Sequence, residues 1–108
     1  MRATLRCSAM LILLQFANAT SALAGEVVQV KISDLAFLPA DITVKVGDTV
    51  EWLNGDFIDH TATAKNGDWD VMVIAEKSAR LQLTHAGTID YFCRVHPGMT
   101  GTIHIVAE

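Results

Sequence analysis

A short loop between two alternating segments constrains this chain more than any other feature. Cys93, His96 and Met99 are spaced so that two residues separate each potential ligand from the next. The segments 88–92 and 102–106 on either side alternate apolar and polar residues, which is typical of half-buried strands. A thiolate, an imidazole and a thioether together favour copper over zinc, magnesium or calcium. The loop therefore predicts a metal site at a strand end, which one further histidine would complete as a blue-copper arrangement with an axial methionine.

The first 24 residues have the composition of a secretory signal peptide. Two arginines near the start precede an apolar stretch at residues 9–17, and Ala22-Leu23-Ala24 forms a small-x-small cleavage box. This order is typical of a signal that is removed, here after Ala24. The apolar stretch is too short to span a bilayer, which disfavours the alternative of an N-terminal membrane anchor. We therefore expect an exported, periplasmic protein that is not attached to a membrane after cleavage.

The remaining segment, residues 25–108, is acidic and long enough for a single domain. Without Arg2 and Arg6, the eight basic residues of the chain fall to six against twelve acidic residues, so its formal charge is −6. An acidic domain without a basic patch argues against nucleic acid as a partner.

Cysteine usage is informative because Cys7 leaves with the signal and Cys93 remains alone. Exported proteins meet an oxidising compartment, in which structural cysteines are normally paired. A single cysteine there either binds a metal or is available for an intermolecular disulfide. Metal ligation is favoured because His96 and Met99 follow at ligand spacing.

Alternating apolar and polar residues recur along residues 25–108, and no helical period is present. They predict seven or eight short strands, at residues 27–32, 41–46, 49–53, 61–64, 80–83, 88–92 and 102–106, with 70–75 ambiguous between strand and irregular structure. Short strands at regular spacing predict an all-β Greek-key sandwich or barrel with antiparallel sheets. Residues 34–39 are predicted to be a connection whose Leu35, Phe37 and Leu38 plug one end of the core.

The pattern A-G-T-x-x-Y-x-C-x-x-H-P-x-M-x-G over residues 86–101 resembles the cupredoxins, the small blue copper proteins. The two-residue spacings on both sides of the loop histidine are most similar to the amicyanin subfamily. The resemblance implies one type 1 copper held by His60, Cys93 and His96, with Met99 as the axial ligand. It also implies a one-electron carrier of the bacterial periplasm rather than an enzyme.

The resemblance also implies partners and a brace for the ligand loop. A monomeric carrier would dock transiently with redox proteins, namely a dehydrogenase, a c-type cytochrome or both. Members of the family usually have an asparagine after the first histidine ligand, where it braces the loop. Thr61 stands at that position here, and we expect its hydroxyl to take part of that role.

Other interpretations of the same residues are less favoured than a carrier. A copper-trafficking or storage protein would favour exposed His- and Met-rich tracts, whereas residues 25–108 contain Met72 and Met99 alone. His85 and His104 are expected to be solvated rather than ligands. Asp56 and Asp59 are interpreted as part of a solvated loop beside an Asn-Gly turn, not as a catalytic carboxylate pair.

Overall fold

The computed structural model describes residues 25–108, so the predicted signal segment lies outside the described residues. Nine strands form in this part of the chain: β1 (Val27–Ser33), β2 (Ala36–Leu38), β3 (Asp41–Lys45), β4 (Thr49–Asn54), β5 (His60–Ala64), β6 (Asp70–Val73), β7 (Ser78–Gln82), β8 (Gly87–Phe92) and β9 (Thr100–Val106). All the predicted strands are present, and the ambiguous segment is the strand β6. Within residues 25–108, no helix is long and apolar enough to cross a membrane.

The strands form two sheets that pack face to face, which confirms the all-β sandwich. The first sheet has the order β2-β1-β4-β7 and the second the order β3-β9-β8-β5-β6. The prediction of antiparallel sheets is wrong for two pairs, because β1 with β4 and β3 with β9 are parallel. Alternation in the sequence reports which face of a strand is buried and carries no information about the direction of its neighbour.

The region predicted to be a plain connection contains the short strand β2, which pairs with β1. Phe37 is 1% exposed and reaches the core, as expected, but Leu35 and Leu38 are 47% and 49% exposed. The prediction that all three plug the core is therefore wrong for the two leucines. The reason is the period of two in a strand, which turns Leu38 away from the sandwich when Phe37 points inward.

The core between the sheets is aliphatic at its edges and aromatic at its centre. Trp52 and Tyr91 are fully buried and meet edge to face, with ring centroids 5.8 Å apart, and the Trp52 Nε1–H donates to the Tyr91 hydroxyl at 3.3 Å. Phe37 and Trp69 pack on Tyr91 with centroids 4.6 and 5.6 Å away. This cluster joins β4 of the first sheet to β8 of the second and so fixes the strand that leads to Cys93.

One end of the second sheet collects the segments that carry the predicted ligands. β5 begins at His60, and its antiparallel neighbour β8 ends at Phe92, next to Cys93. β8 pairs in turn with β9, so the loop 93–99 closes the same end. The strand pairing therefore brings together ligands that are more than thirty residues apart in the sequence.

Candidate metal centre

His60 occupies the first position of β5 and is fully buried. It points to the inner side of the sandwich in phase with Ala62 and Ala64, which are also buried. Its register partner on β6 is Val73, a buried residue. A histidine in this position has little freedom to move, because the core packs around it.

The loop from Cys93 to Met99 is closed by its own backbone. The Cys93 N–H donates to the Met99 carbonyl at 3.0 Å, the His96 N–H to the Cys93 carbonyl at 3.2 Å, and the Met99 N–H to the His96 carbonyl at 2.8 Å. These hydrogen bonds hold the three predicted ligands of the loop in a compact turn. Cys93 is fully buried and Met99 is 3% exposed.

The predicted histidine and cysteine ligands converge in space. Ligand atoms of His60, Cys93 and His96 all lie within 4.8 Å of one another. The Cys93 Sγ is 3.7 Å from the His60 Nδ1 and 3.9 Å from the His96 Nδ1. Within residues 25–108, this is the single group of three or more His, Cys, Asp or Glu side chains placed to hold a metal ion.

The chemistry of these donors fits a soft or borderline metal ion. Burial opposes ionisation of the Cys93 thiol, but the Thr61 N–H and the two histidine rings outweigh burial and lower its pKa to about 6. The thiolate is the form that binds a metal. Two imidazoles and one thiolate, with a thioether nearby in sequence, are the donors of a type 1 copper site.

Asp56 orients the His60 ring, and sequence reasoning missed this role. Its Oδ2 lies 2.8 Å from the His60 Nε2. A backbone N–H from Leu35 and then the His60 ring hold the pKa of Asp56 below its usual range, so the carboxylate is ionised and can only accept. His60 therefore carries its proton on Nε2 and turns the lone pair of Nδ1 towards Cys93. No regular spacing in the sequence indicates this contact, because Asp56 lies in a loop and His60 at the start of a strand.

Thr61 links the two halves of the site. Its backbone N–H donates to the Cys93 Sγ at 3.3 Å, and its hydroxyl accepts from the Arg94 N–H at 2.9 Å. Thr61 is fully buried, although its side chain has the strand phase of the outer face. The hydroxyl thus makes the kind of loop contact that was expected of it at this position.

The histidines differ in their access to solvent. His60 is buried, whereas His96 is partly exposed between the exposed residues Val95 and Pro97. His85 is exposed and contacts the Thr84 hydroxyl. The His104 Nε2 contacts Asp41 at 2.8 Å on the outer face of the second sheet, far in register from the loop. The structure therefore does not bring His85 or His104 to the site.

Comparison with known proteins agrees with the fold and with the geometry of the site. The family described as the cupredoxin-like domain matches residues 6–106 of this chain. The chain belongs to the cupredoxin-like family. Two features of this cupredoxin agree with the membership: a two-sheet sandwich and a largely buried His-Cys-His cluster at one end of it.

Curated relatives include amicyanins and plastocyanins. Amicyanin from Paracoccus versutus is 32% identical over 85 residues, which cover 73% of this chain and 64% of that protein. Amicyanin from Paracoccus denitrificans is 32% identical over 94 residues, which cover 79% and 70%. Plastocyanin from Nostoc punctiforme is 29% identical over an alignment of 119 positions, which spans 89% of this chain and 86% of that protein. This cupredoxin thus aligns with just under two thirds of the length of the first of these relatives.

Solved structures of amicyanin resemble the sandwich closely. The crystal structure of Paracoccus versutus amicyanin has a TM-score of 0.66 and 31% identity, with 74% of this chain and 81% of that chain covered. A reduced Cu(I) form of an amicyanin variant has a TM-score of 0.66 and 31% identity, covering 74% and 82%.

Proposed function

We propose that residues 25–108 form a one-electron carrier with a single type 1 copper, held by His60, Cys93 and His96 with Met99 axial. The observation that carries this proposal is the convergence of two imidazole nitrogens and one thiol sulfur within 4.8 Å, with His60 and Cys93 buried and His96 partly exposed. The similarity to a Cu(I) form of amicyanin supports copper as the metal. When bound, copper supplies the centre that changes oxidation state.

The residues around the site suit electron transfer because they resist rearrangement. The Asp56 contact fixes the His60 ring, and the backbone hydrogen bonds of the loop fix Cys93 and His96. A site held by a packed scaffold keeps similar ligand positions in both oxidation states, which reduces the structural change that accompanies each transfer. The Thr61 N–H aimed at the Cys93 sulfur tunes the reduction potential of such a centre.

His96 is proposed as the point at which electrons enter and leave. It is the member of the His60, Cys93 and His96 cluster that reaches solvent. Val95 beside it is 57% exposed, and the loop before His60 carries Phe57 and Ile58 at 86% and 46% exposure. Exposed apolar residues in the two segments that carry His60 and His96 suit brief docking with a dehydrogenase, a c-type cytochrome or both.

The proposed setting is the periplasm, with the chain acting as a monomeric carrier rather than an enzyme. The composition of residues 1–24 supports export, and mass spectrometry of protein recovered from a periplasmic fraction tests it. We expect a mature chain that starts at Gly25. The formal charge of −6 on residues 25–108 predicts that docking rates depend on ionic strength.

Copper titration of the purified mature protein tests the central proposal. We expect one equivalent of Cu(II) to produce the intense visible absorption of a copper–thiolate bond, and ascorbate and ferricyanide to remove and restore it reversibly. Cys93→Ser should abolish the band, whereas His85→Ala, a change outside the cluster, should leave it intact. A colourless complex, or one that loses copper to a weak chelator, would instead support copper handling without electron transfer.

A further inference from the structure

Behind the ligand loop, four residues form a closed set of hydrogen bonds on the outer side of the second sheet. The Arg94 backbone N–H donates to the Thr61 hydroxyl at 2.9 Å, and the hydroxyls of Thr61 and Thr63 are 2.9 Å apart. The Thr63 hydroxyl donates to the Asp70 Oδ1 at 2.7 Å. The Arg94 Nε donates to the same Oδ1 at 3.1 Å, so Thr61, Thr63, Asp70 and Arg94 form a closed hydrogen-bond ring that begins and ends at Arg94.

The direction of every bond in this ring follows from the available protons. Asp70 is ionised, since hydrogen bonds from Thr63 and then Arg94 hold its pKa below its usual range, and a carboxylate only accepts. The Thr63 hydroxyl must therefore donate its single hydrogen bond to Asp70. It then has no proton for Thr61, so the Thr61 hydroxyl donates to Thr63 and accepts from the Arg94 N–H.

The ring connects three separate segments of the chain. Thr61 and Thr63 lie on β5, Asp70 lies opposite Thr63 on the edge strand β6, and Arg94 follows Cys93 in the ligand loop. Thr61 is fully buried, whereas the side chains of Asp70 and Arg94 are about half exposed. A surface carboxylate on an edge strand is thereby linked to the residue next to the thiol.

We propose that Thr63 and Asp70 are positioning residues for the metal site, acting through the Thr61 hydroxyl on the Cys93–Arg94 segment. The inference rests on the proposed copper function and deepens it. The Thr61 hydroxyl accepts from the Arg94 amide, and the Thr61 backbone N–H donates to the Cys93 sulfur. Rotation of the Thr61 side chain would therefore break the Arg94 contact and free the adjoining Cys93 to shift relative to that N–H. The bond to Thr63 removes that rotation, and Asp70 fixes the orientation of Thr63.

Three substitutions and a matched control separate this role from ordinary strand stability. Thr63→Val keeps the shape and removes the hydroxyl, Asp70→Ala removes the final acceptor, and Thr63→Ser restores a hydroxyl. Thr102→Val is the control: Thr102 donates to Asp90 at 2.8 Å, and the two residues lie opposite each other on the same sheet, as Thr63 and Asp70 do. That pair has no contact with Thr61 or Arg94 among the hydrogen bonds of residues 25–108.

The first measurement uses the metal-free protein and does not depend on copper. We expect amide hydrogen exchange at Arg94 to be roughly three- to tenfold faster in Thr63→Val and Asp70→Ala than in wild type, because its acceptor is no longer held. Thr102→Val should match wild type, and Thr63→Ser should recover most of the protection. Unchanged exchange in both ring variants would overturn the proposal.

The second measurement uses the copper-loaded protein. A hydrogen bond to the thiolate withdraws electron density from it, so a loosened Thr61 N–H contact should lower the reduction potential in Thr63→Val and Asp70→Ala but not in Thr102→Val. Faster exchange with an unchanged reduction potential would mean that the hydrogen-bond ring holds the loop backbone but does not act on the metal site. That result would also overturn the proposal. Failure of wild type to form a coloured complex would refute the copper function, whereas the exchange data on the metal-free protein test the ring independently.

Discussion

At the scale of single residues, the site is organised by side chains that each serve two segments. Asp56 accepts N–H groups from Asp34 at 2.9 Å and Leu35 at 3.1 Å while it contacts the His60 ring. It therefore joins the β1–β2 turn to the first predicted ligand. A side chain used in this way contributes to stability and to ligand orientation together.

Replacing Asp56 should reduce both the stability of the fold and the affinity for copper. We expect Asp56→Ala to lower the free energy of unfolding by about 1–3 kcal/mol, because it removes three hydrogen bonds to an ionised acceptor. It should also weaken copper binding, since the His60 ring loses the partner that fixes its tautomer. Urea denaturation of the metal-free protein and competition with a copper chelator measure the two effects.

Asp59→Ala serves as the matched control in the same loop. Asp59 accepts a single N–H, from Ala75 at 2.8 Å, and has no contact with a predicted ligand among the described hydrogen bonds. A comparable loss of copper affinity in both variants would contradict an orienting role for Asp56.

The turn that Asp56 holds is itself strained at Leu35. Asp34 and Leu35 have φ angles of 51° and 62°, as the two central residues of a type I′ turn require. Leucine is unfavourable in this left-handed region, and its side chain is half exposed. We expect Leu35→Gly to raise the free energy of unfolding by about 0.5–1 kcal/mol, measured by urea denaturation. Leu38→Gly, in a strand, should lower it; stabilisation by that change or none by Leu35→Gly would contradict the strain argument.

At the scale of elements, a polar network ties three strands of the first sheet together on its outer face. Glu51 on β4 lies beside Gln29 on β1 and Arg80 on β7 in the strand register. Its two oxygens accept from the Gln29 Nε2 at 2.9 Å and the Arg80 Nε at 2.7 Å. The central strand β4 is thus held on both sides by side chains as well as by backbone hydrogen bonds.

This network predicts a specific dependence of stability on pH. The Arg80 and then the Gln29 hydrogen bonds hold the pKa of Glu51 below its usual range. A lowered folded-state pKa contributes stability that is present above the unfolded-state pKa and is lost as pH falls through the folded-state pKa. We expect the Tm difference between wild type and Glu51→Gln to be largest near about pH 7 and to shrink towards about pH 3.

Thermal denaturation of the metal-free proteins across this range provides the test. Glu26→Gln, which changes an exposed carboxylate outside the network, is the control and should show no comparable trend. A Glu51→Gln difference that stays constant down to acid pH would show that the carboxylate charge is not what stabilises these strands.

At the scale of the whole molecule, the aromatic cluster needs one glycine in order to form. Tyr91 lies opposite Gly101 in the pairing of β8 with β9, and its ring covers the glycine backbone. A Cβ atom at Gly101 would stand 2.5 Å from the Tyr91 Cζ. Because Tyr91 also packs against Trp52, Phe37 and Trp69, a displacement of its ring disturbs both sheets.

Gly101→Ala should therefore destabilise the entire sandwich and not only β9. We expect a loss of about 1–3 kcal/mol in the free energy of unfolding, as for other overpacked cores, and a change in the fluorescence of the buried Trp52. Gly98→Ala is the control, because a Cβ at Gly98 meets no atom within 4 Å. Equal stability of the two variants would contradict the packing argument.

The sequence predicted a large part of this protein because its strongest signals are local. Alternation located the strands, and the spacing of Cys93, His96 and Met99 indicated a metal loop. His60 was different, since its assignment depended on resemblance to a family and not on any neighbouring residue. The strand β2 was missed because three residues with a single buried side chain leave too short a pattern to recognise.

What the sequence determined by itself is the donor chemistry and the all-β class, because ligand type and strand period are properties of short segments. The parallel pairings, the convergence of His60 on the loop, and the hydrogen bonds of Asp56, Thr63 and Asp70 are visible in the tertiary structure alone. Each of these depends on contacts between segments that are remote in the chain, or on the direction of a polar side chain. A local pattern carries neither kind of information, because packing and hydrogen bonding across strands determine both.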